Sequence, residues 1–242
     1  TITAKEKMCF CDDMDCDPQK CPYAKGHYDR INDAVYELWT KEEAFDRETI
    51  LAQAEKYSVC PFEITLDLAV WMDGIVCDYN YVFDPNVYLK RFFGENIKGK
   101  YLFLIDEAHN LVDRGREMYS ASLCKEEIES TRRFVRAHSS RLYRMLGKAA
   151  KQLEVLKEES SSSWQVLENA GTLPVTLLSI QGEMDKLLEE PPSQEFVDGI
   201  LEFYFAVRDF LNIAELVDEN YVTYVSTDED GKFRMKLFCV NP

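Results

Sequence analysis

The sequence lacks several features that would place it quickly. No run approaches the roughly 18 consecutive apolar residues that a membrane-spanning helix needs, and the longest strongly apolar stretches, such as Tyr101–Ile105, are strand-sized. The N-terminus, Thr-Ile-Thr, has no basic n-region and no apolar h-region, so it is not a signal peptide. Positive charge is scarce: 28 Lys and Arg against 44 Asp and Glu leave a net charge of −16. That excludes indiscriminate nucleic-acid binding by the whole surface but not by a local basic stripe. With 46% apolar and 12% aromatic residues, the 242-residue chain is neither collagen-like nor fully disordered. It is long enough for one large domain or two small ones with a real core. There is no internal repeat.

Two further absences concern chemistry. No C-x2-C knuckle is present, although four of the eight cysteines fall within the first 21 residues. Without a secretory signal, a cytoplasmic location is expected, where clustered thiols read as metal or redox chemistry rather than disulfides. There is also no phosphate-binding loop. The nearest match, Gly94-Glu-Asn-Ile-Lys-Gly99-Lys100, has Tyr101 where a Ser or Thr hydroxyl is needed. It also precedes a strand pattern instead of following one and opening a helix, so it is a decoy.

The cysteines follow the spacing C-x6-C-x4-C at Cys9, Cys16 and Cys21, and Cys60 comes after 38 intervening residues. Cys21 and Cys60 each precede a proline, a step also found in iron–sulfur ligand runs. Four thiolates from two separated segments suit an iron–sulfur cluster, a Zn ion, or no metal at all. Cys11 rivals Cys16 as a ligand. Cys77, Cys124 and Cys239 lie among apolar neighbours and read as small buried hydrophobes.

A second constellation is Tyr101-Leu-Phe-Leu-Ile-Asp106-Glu107-Ala108-His109-Asn110. The five apolar residues predict a strand buried on both faces of a parallel sheet. Ligand chemistry in open α/β sheets gathers at the carboxyl ends of such strands. There Asp106 would hold the water shell of a nucleotide's Mg²⁺, Glu107 would polarise the attacking water, and His109 would couple the site to another domain.

Helices are predicted over Asp29–Trp39, Arg47–Tyr57 (capped by Asp46) and Phe62–Trp71, followed by a strand at Gly74–Asp78. From Lys125 to Glu159 one uninterrupted helical pattern would reach roughly 50 Å. At roughly 100° per residue, Arg133, Arg141, Arg144, Lys148 and Lys151 share about a quarter of its circumference, while Ile128, Leu142, Leu146, Leu153 and Leu156 fall elsewhere. One face is therefore core, and the other either guides a phosphate backbone or pairs with acids on neighbouring helices. Ser160–Ser163 reads as a loop. Further helices are predicted at Val175–Leu188 and Gln194–Leu216. Strands at Tyr221–Val225 and Phe233–Val240 are joined by a turn at Thr227–Gly231.

The order of these motifs carries a resemblance. A cysteine-rich stretch precedes Cys60-Pro61. Then come Asp78-Tyr-Asn-Tyr-Val-Phe-Asp84-Pro85, Asp106-Glu-Ala-His-Asn-Leu111 and a long helical segment. It resembles the XPD/DinG group of superfamily 2 DNA helicases, on the bacterial DinG-like side. The resemblance implies a 4Fe–4S cluster on Cys9, Cys16, Cys21 and Cys60, and ATP-driven movement 5′ to 3′ on single-stranded DNA, in the sphere of DNA repair. It also implies DEAH-box roles for Asp106, Glu107 and His109, with ATP and Mg²⁺ completed by parts outside this sequence. The alternative is a non-enzymatic Zn-binding interaction module. The implied architecture is mixed and predominantly α. It comprises an iron–sulfur domain (1–61), a partial RecA-like α/β motor sheet with the DEAH box (62–112), a helical Arch domain (113–219) and a β-hairpin returning to the motor (220–242). The chain is expected to be a fragment, monomeric, and inactive as an ATP hydrolase by itself.

Overall fold

The computed structural model describes all residues except Asp13, Glu95 and Ser161, so parts of the decoy loop and of the four-serine run lie outside the described residues. The chain divides into two compact units. Unit 1 comprises Thr1–Phe83 and Val87–Phe103; unit 2 comprises Asp84–Asn86 and Leu104–Pro242. Among the described residues, no helix is long and apolar enough to cross a membrane.

Unit 1 is helical. It contains α1 (Lys5–Met8), α2 (His27–Lys41), α3 (Arg47–Tyr57), α4 (Pro61–Ala69), α5 (Asn80–Phe83) and α6 (Lys90–Phe93). Helix α3 begins where Asp46 accepts the Thr49 N–H at 2.9 Å, the N-cap expected from sequence. Helix α4 opens on Pro61, whose missing N–H costs nothing at a first helical position. Met8, Ile31, Ala34, Leu38, Ile50, Ala54, Val59, Ile64 and Leu68 form a core between α1, α2, α3 and α4. A polar staple adds to it. Glu37 on α2 accepts from Lys56 Nζ and Tyr57 Oη, both at 2.6 Å, and pairs with Lys41.

Unit 2 contains α7 (Leu111–Met118), β1 (Ala121–Cys124), α8 (Lys125–Val135), α9 (Ser140–Glu159), β2 (Trp164–Leu167), α10 (Leu173–Glu189), α11 (Gln194–Leu216), β3 (Tyr221–Thr227) and β4 (Phe233–Cys239). The strands form one antiparallel sheet in the order β1-β4-β3-β2, with Val225 opposite Met235 and Leu123 opposite Met235 on its other side. The β3–β4 hairpin does not stand apart. Val225, Phe233, Met235 and Leu237 join Leu142, Leu146, Leu153, Phe196, Ile200, Val207 and Phe210 in one helix–sheet core.

Three expectations are corrected. The helix predicted from Lys125 to Glu159 is two helices. It breaks over Arg136–Ser139, where Ser139 Oγ accepts the Leu142 N–H at 3.1 Å and caps α9. The break lets α8 and α9 pack side by side, burying Ile128 and Val135 together with Leu142 and Leu146, which a straight rod could not do. The expected strands Gly74–Asp78 and Tyr101–Ile105 are not strands either. Neither joins the four-stranded sheet. Leu102 is 88% and Leu104 91% exposed, the opposite of a strand buried on both faces. A strand is held by its ladder, and among the described residues the sole backbone bond to the 74–78 segment from a distant residue is Ile2 N–H to Val76 O at 2.8 Å. The partial RecA-like sheet is therefore absent from the described residues, and the sheet that forms is antiparallel. Strands β1 and β2 were not anticipated.

Candidate functional site

Cys9, Cys11, Cys16, Cys21 and Cys60 are linked pairwise in unit 1, by contact or through Lys5. Helix α1 delivers Cys9 as its C-cap, and the following turns carry Cys11, Cys16 and Cys21. Cys60 arrives from a separate direction as the N-cap of α4. Cys11 Sγ lies 3.8 Å from Cys21 Sγ, and the Cys11 N–H points at Cys9 Sγ at 3.4 Å. Cys16 is exposed and its thiol reaches Met14 O at 3.6 Å. The Lys5 ammonium hydrogen-bonds Cys16 and also feels Cys60 and Cys9, which together raise its pKa. Burial pushes the Cys60 thiol up, opposed by the N–H groups of Glu63 and Phe62 at the start of α4. All eight cysteines are thiols, with no disulfide among the described residues.

His27 belongs to this region and was missed in the sequence. It is 5% exposed, and its Nδ1 accepts the Cys60 N–H at 3.2 Å, fixing the backbone that presents Cys60. Burial lowers its pKa, which favours the neutral, accepting ring. The only sequence signal was its place after Gly26, whose left-handed φ of 65° starts α2.

The donor set is all sulfur, the chemistry of an iron–sulfur cluster or a structural Zn site. Among the described residues no three Cys, His, Asp or Glu side chains lie in a geometry that would grip a single ion.

The acidic motif sits at the start of unit 2, on a turn that leads through a 3₁₀ helix (Ala108–Asn110) into α7. Asp106 Oδ1 accepts the Glu107 N–H at 2.9 Å. Glu107 is left-handed with φ 51°, an uncommon conformation for a residue with a side chain and one that clusters at functional sites. Its carboxylate lies 3.3 Å from His109 Nε2, and both side chains are largely exposed. The three DEAH residues are thus brought onto one turn. Among its described residues, the 94–100 segment opens no helix, as a phosphate-binding loop would.

The basic residues are split by the break between α8 and α9. Arg133 lies on α8, while Arg141, Arg144, Lys148 and Lys151 remain on α9. Arg141 Nε pairs with Glu183 of α10 at 3.2 Å, the pairing alternative raised from sequence. Arg144 Nε donates to Ser140 O at 3.3 Å within its own helix. Arg144, Lys148 and Lys151 are exposed, with no ion pair to an acid among the described residues.

Comparison with known proteins settles the family. The DEAD_2 family model matches residues 2–128, which include every proposed thiol ligand and the DEAH turn. The chain belongs to the DEAD_2 family. A chicken Fanconi anemia group J protein homolog is 33% identical over 90 residues, covering 37% of this chain and 7% of that protein. The ATP-dependent DNA helicase CHL1 of Kluyveromyces lactis is 21% identical over 199 residues, 82% of this chain and 22% of its own length. Rat regulator of telomere elongation helicase 1 is 24% identical over 159 residues, 65% and 12% respectively. These are helicases of the XPD/DinG-like superfamily 2 group, as the motif order indicated. The chain spans less than a quarter of the length of each of these relatives.

Proposed function

We propose that the chain is a section of an ATP-dependent DNA helicase that moves 5′ to 3′ on single-stranded DNA. The observation that carries this is one family match running continuously across the thiols and the DEAH turn. In this proposal Cys9, Cys16, Cys21 and Cys60 hold a 4Fe–4S cluster. When bound, the cluster acts mainly as a structural staple, because metal binding supplies folding free energy to a region with little core of its own. His27 positions Cys60, and Lys5 offsets negative charge beside Cys16 and Cys60.

Asp106 holds the water shell of Mg²⁺, Glu107 orients and polarises the attacking water, and His109 reports the nucleotide state to neighbouring parts. The phosphate cradle is supplied elsewhere in the parent protein. The helical body of unit 2 acts as the Arch, with Arg144, Lys148 and Lys151 as its phosphate-guiding contacts and Arg133 and Arg141 at the margin. Arg141 is the weakest of the five, because Glu183 already neutralises it.

Anaerobic purification followed by iron and labile-sulfide analysis tests the metal. Iron with sulfide and broad visible absorbance is expected; stoichiometric Zn without colour would replace the helicase-cluster proposal with a Zn-binding interaction module. In the parent protein, Glu107→Gln should lower DNA-stimulated ATP hydrolysis by about 10²–10⁴-fold, the usual weight of general-base catalysis. Unchanged hydrolysis would remove Glu107 from that role.

A further inference from the structure

Cys9, Cys11, Cys16, Cys21 and Cys60 are five, one more than a four-thiolate ligand set uses. Cys11 is the fifth, and its sulfur lies 3.8 Å from that of Cys21. A disulfide bond is 2.03–2.05 Å long, so the two sulfurs need to close by about 1.8 Å. Cys21 is the fixed partner. It is 7% exposed, its N–H donates to Asp17 O at 2.8 Å, and its carbonyl accepts from Ala24 and Lys25 at 3.2 and 3.1 Å. Cys11 is only half-buried and sits in the turn after α1, where solvent and small thiol reagents reach it more easily.

We propose that Cys11 and Cys21 form an oxidative modification site: a dithiol that closes into a disulfide by exchange with a low-molecular-weight disulfide such as oxidised glutathione. Cys11 thiolate attacks one glutathione sulfur, forming a mixed disulfide and expelling the first glutathione thiolate. Cys21 thiolate then attacks the Cys11 sulfur and expels the second. Two protein thiols are oxidised to one disulfide, one glutathione disulfide is reduced to two thiols, and the two protons pass to those thiols. The bond withholds Cys21 from metal. That consequence rests on the iron–sulfur reading above; the disulfide itself does not.

The test uses the metal-free chain, reduced and then treated with oxidised glutathione under anaerobic conditions. Peptide mapping after thiol blocking should find a Cys11–Cys21 link, lighter by two hydrogens than the two separate peptides. Iron uptake from ferrous iron and sulfide should be lost in the treated chain and return after reduction. Cys11→Ser should take up iron like the reduced wild type and keep doing so after glutathione treatment. Absence of the link, or equal loss of uptake in Cys11→Ser, overturns the proposal. Failure of reduced Cys11→Ser to load iron, where the wild type loads, also overturns it by making Cys11 a ligand. If the link forms but the reduced wild type takes up no iron, the iron–sulfur reading falls and the disulfide stands.

Discussion

Among the described residues, unit 1 and unit 2 bury very different numbers of apolar side chains. The main core cluster of unit 1 has nine buried members, none aromatic; that of unit 2 has twenty-two, four of them phenylalanines. Phenylalanine burial is among the largest single contributions to a core. Unit 2 can therefore be held by packing alone. Unit 1 combines a thin core with the Glu37 staple and a concentration of thiols. The contrast teaches where an added staple would matter most: in the unit whose own apolar core is the smaller.

Breaking the contrast from the unit 1 side should have the largest effect. Cys21→Ser is expected to remove the brown colour and iron and to make residues 1–61 sensitive to protease, while the helices of unit 2 persist. Limited proteolysis with mass mapping checks it; colour and resistance both retained would show that unit 1 needs no metal. The mirror experiment is Phe210→Ala. It should cost unit 2 about 3–5 kcal/mol, the usual range for a buried aromatic truncated to Ala. Iron content should stay unchanged, as read by thermal unfolding and metal analysis. Phe210 is fully buried, so no surface effect confuses the result.

A third experiment asks whether unit 2 contributes charge as well as packing. Replacing Arg144, Lys148 and Lys151 together by Gln should lower the salt dependence of single-stranded DNA binding. Each phosphate contact contributes a log–log slope of about 0.7, so the slope should fall by about 2. A slope unchanged by the triple substitution would show that this face is merely solvated.

The smallest expected effect sharpens unit 1 alone. Hydrogen bonds from Lys41, Lys56 and Tyr57 hold the Glu37 carboxyl far below the usual carboxylate range. A lowered folded pKa means the stabilisation is present above the unfolded value of 4.5 and is lost as pH falls through and below it. Glu37→Gln should therefore lower the melting temperature of unit 1 at neutral pH, and the gap to wild type should shrink below pH 4.5. A gap that did not change with pH would assign the loss to packing.

Much of this was legible in the residues. Arg47–Tyr57 and Gln194–Leu216 are helices at the bounds expected from periodicity and capping, and the Asp46 cap formed as expected. The C-terminal hairpin turned at Gly231, whose φ of 77° suits a residue without Cβ. Leu142, Leu146 and Leu153 are buried as the helical pattern required, with Leu156 partly so. The break after Val135 was not read from the sequence, because the apolar spacing runs on without a proline; the Ser139 cap that makes it is seen only in the structure. The apolar run Tyr101–Ile105 misled because apolarity signals burial without supplying the strands that would bury it.

The sequence by itself determined the local chemistry: which residues could cap, which helix faces were apolar, which thiols and carboxylates were available, and in what order. Those depend on neighbours a few positions apart along the chain. Only the tertiary structure decided that α8 and α9 lie side by side, that Cys11 meets Cys21, that His27 supports Cys60, and that Arg141 is neutralised by Glu183. Each of these depends on a partner distant in sequence, whose position is set by how helices and strands pack and not by any local pattern.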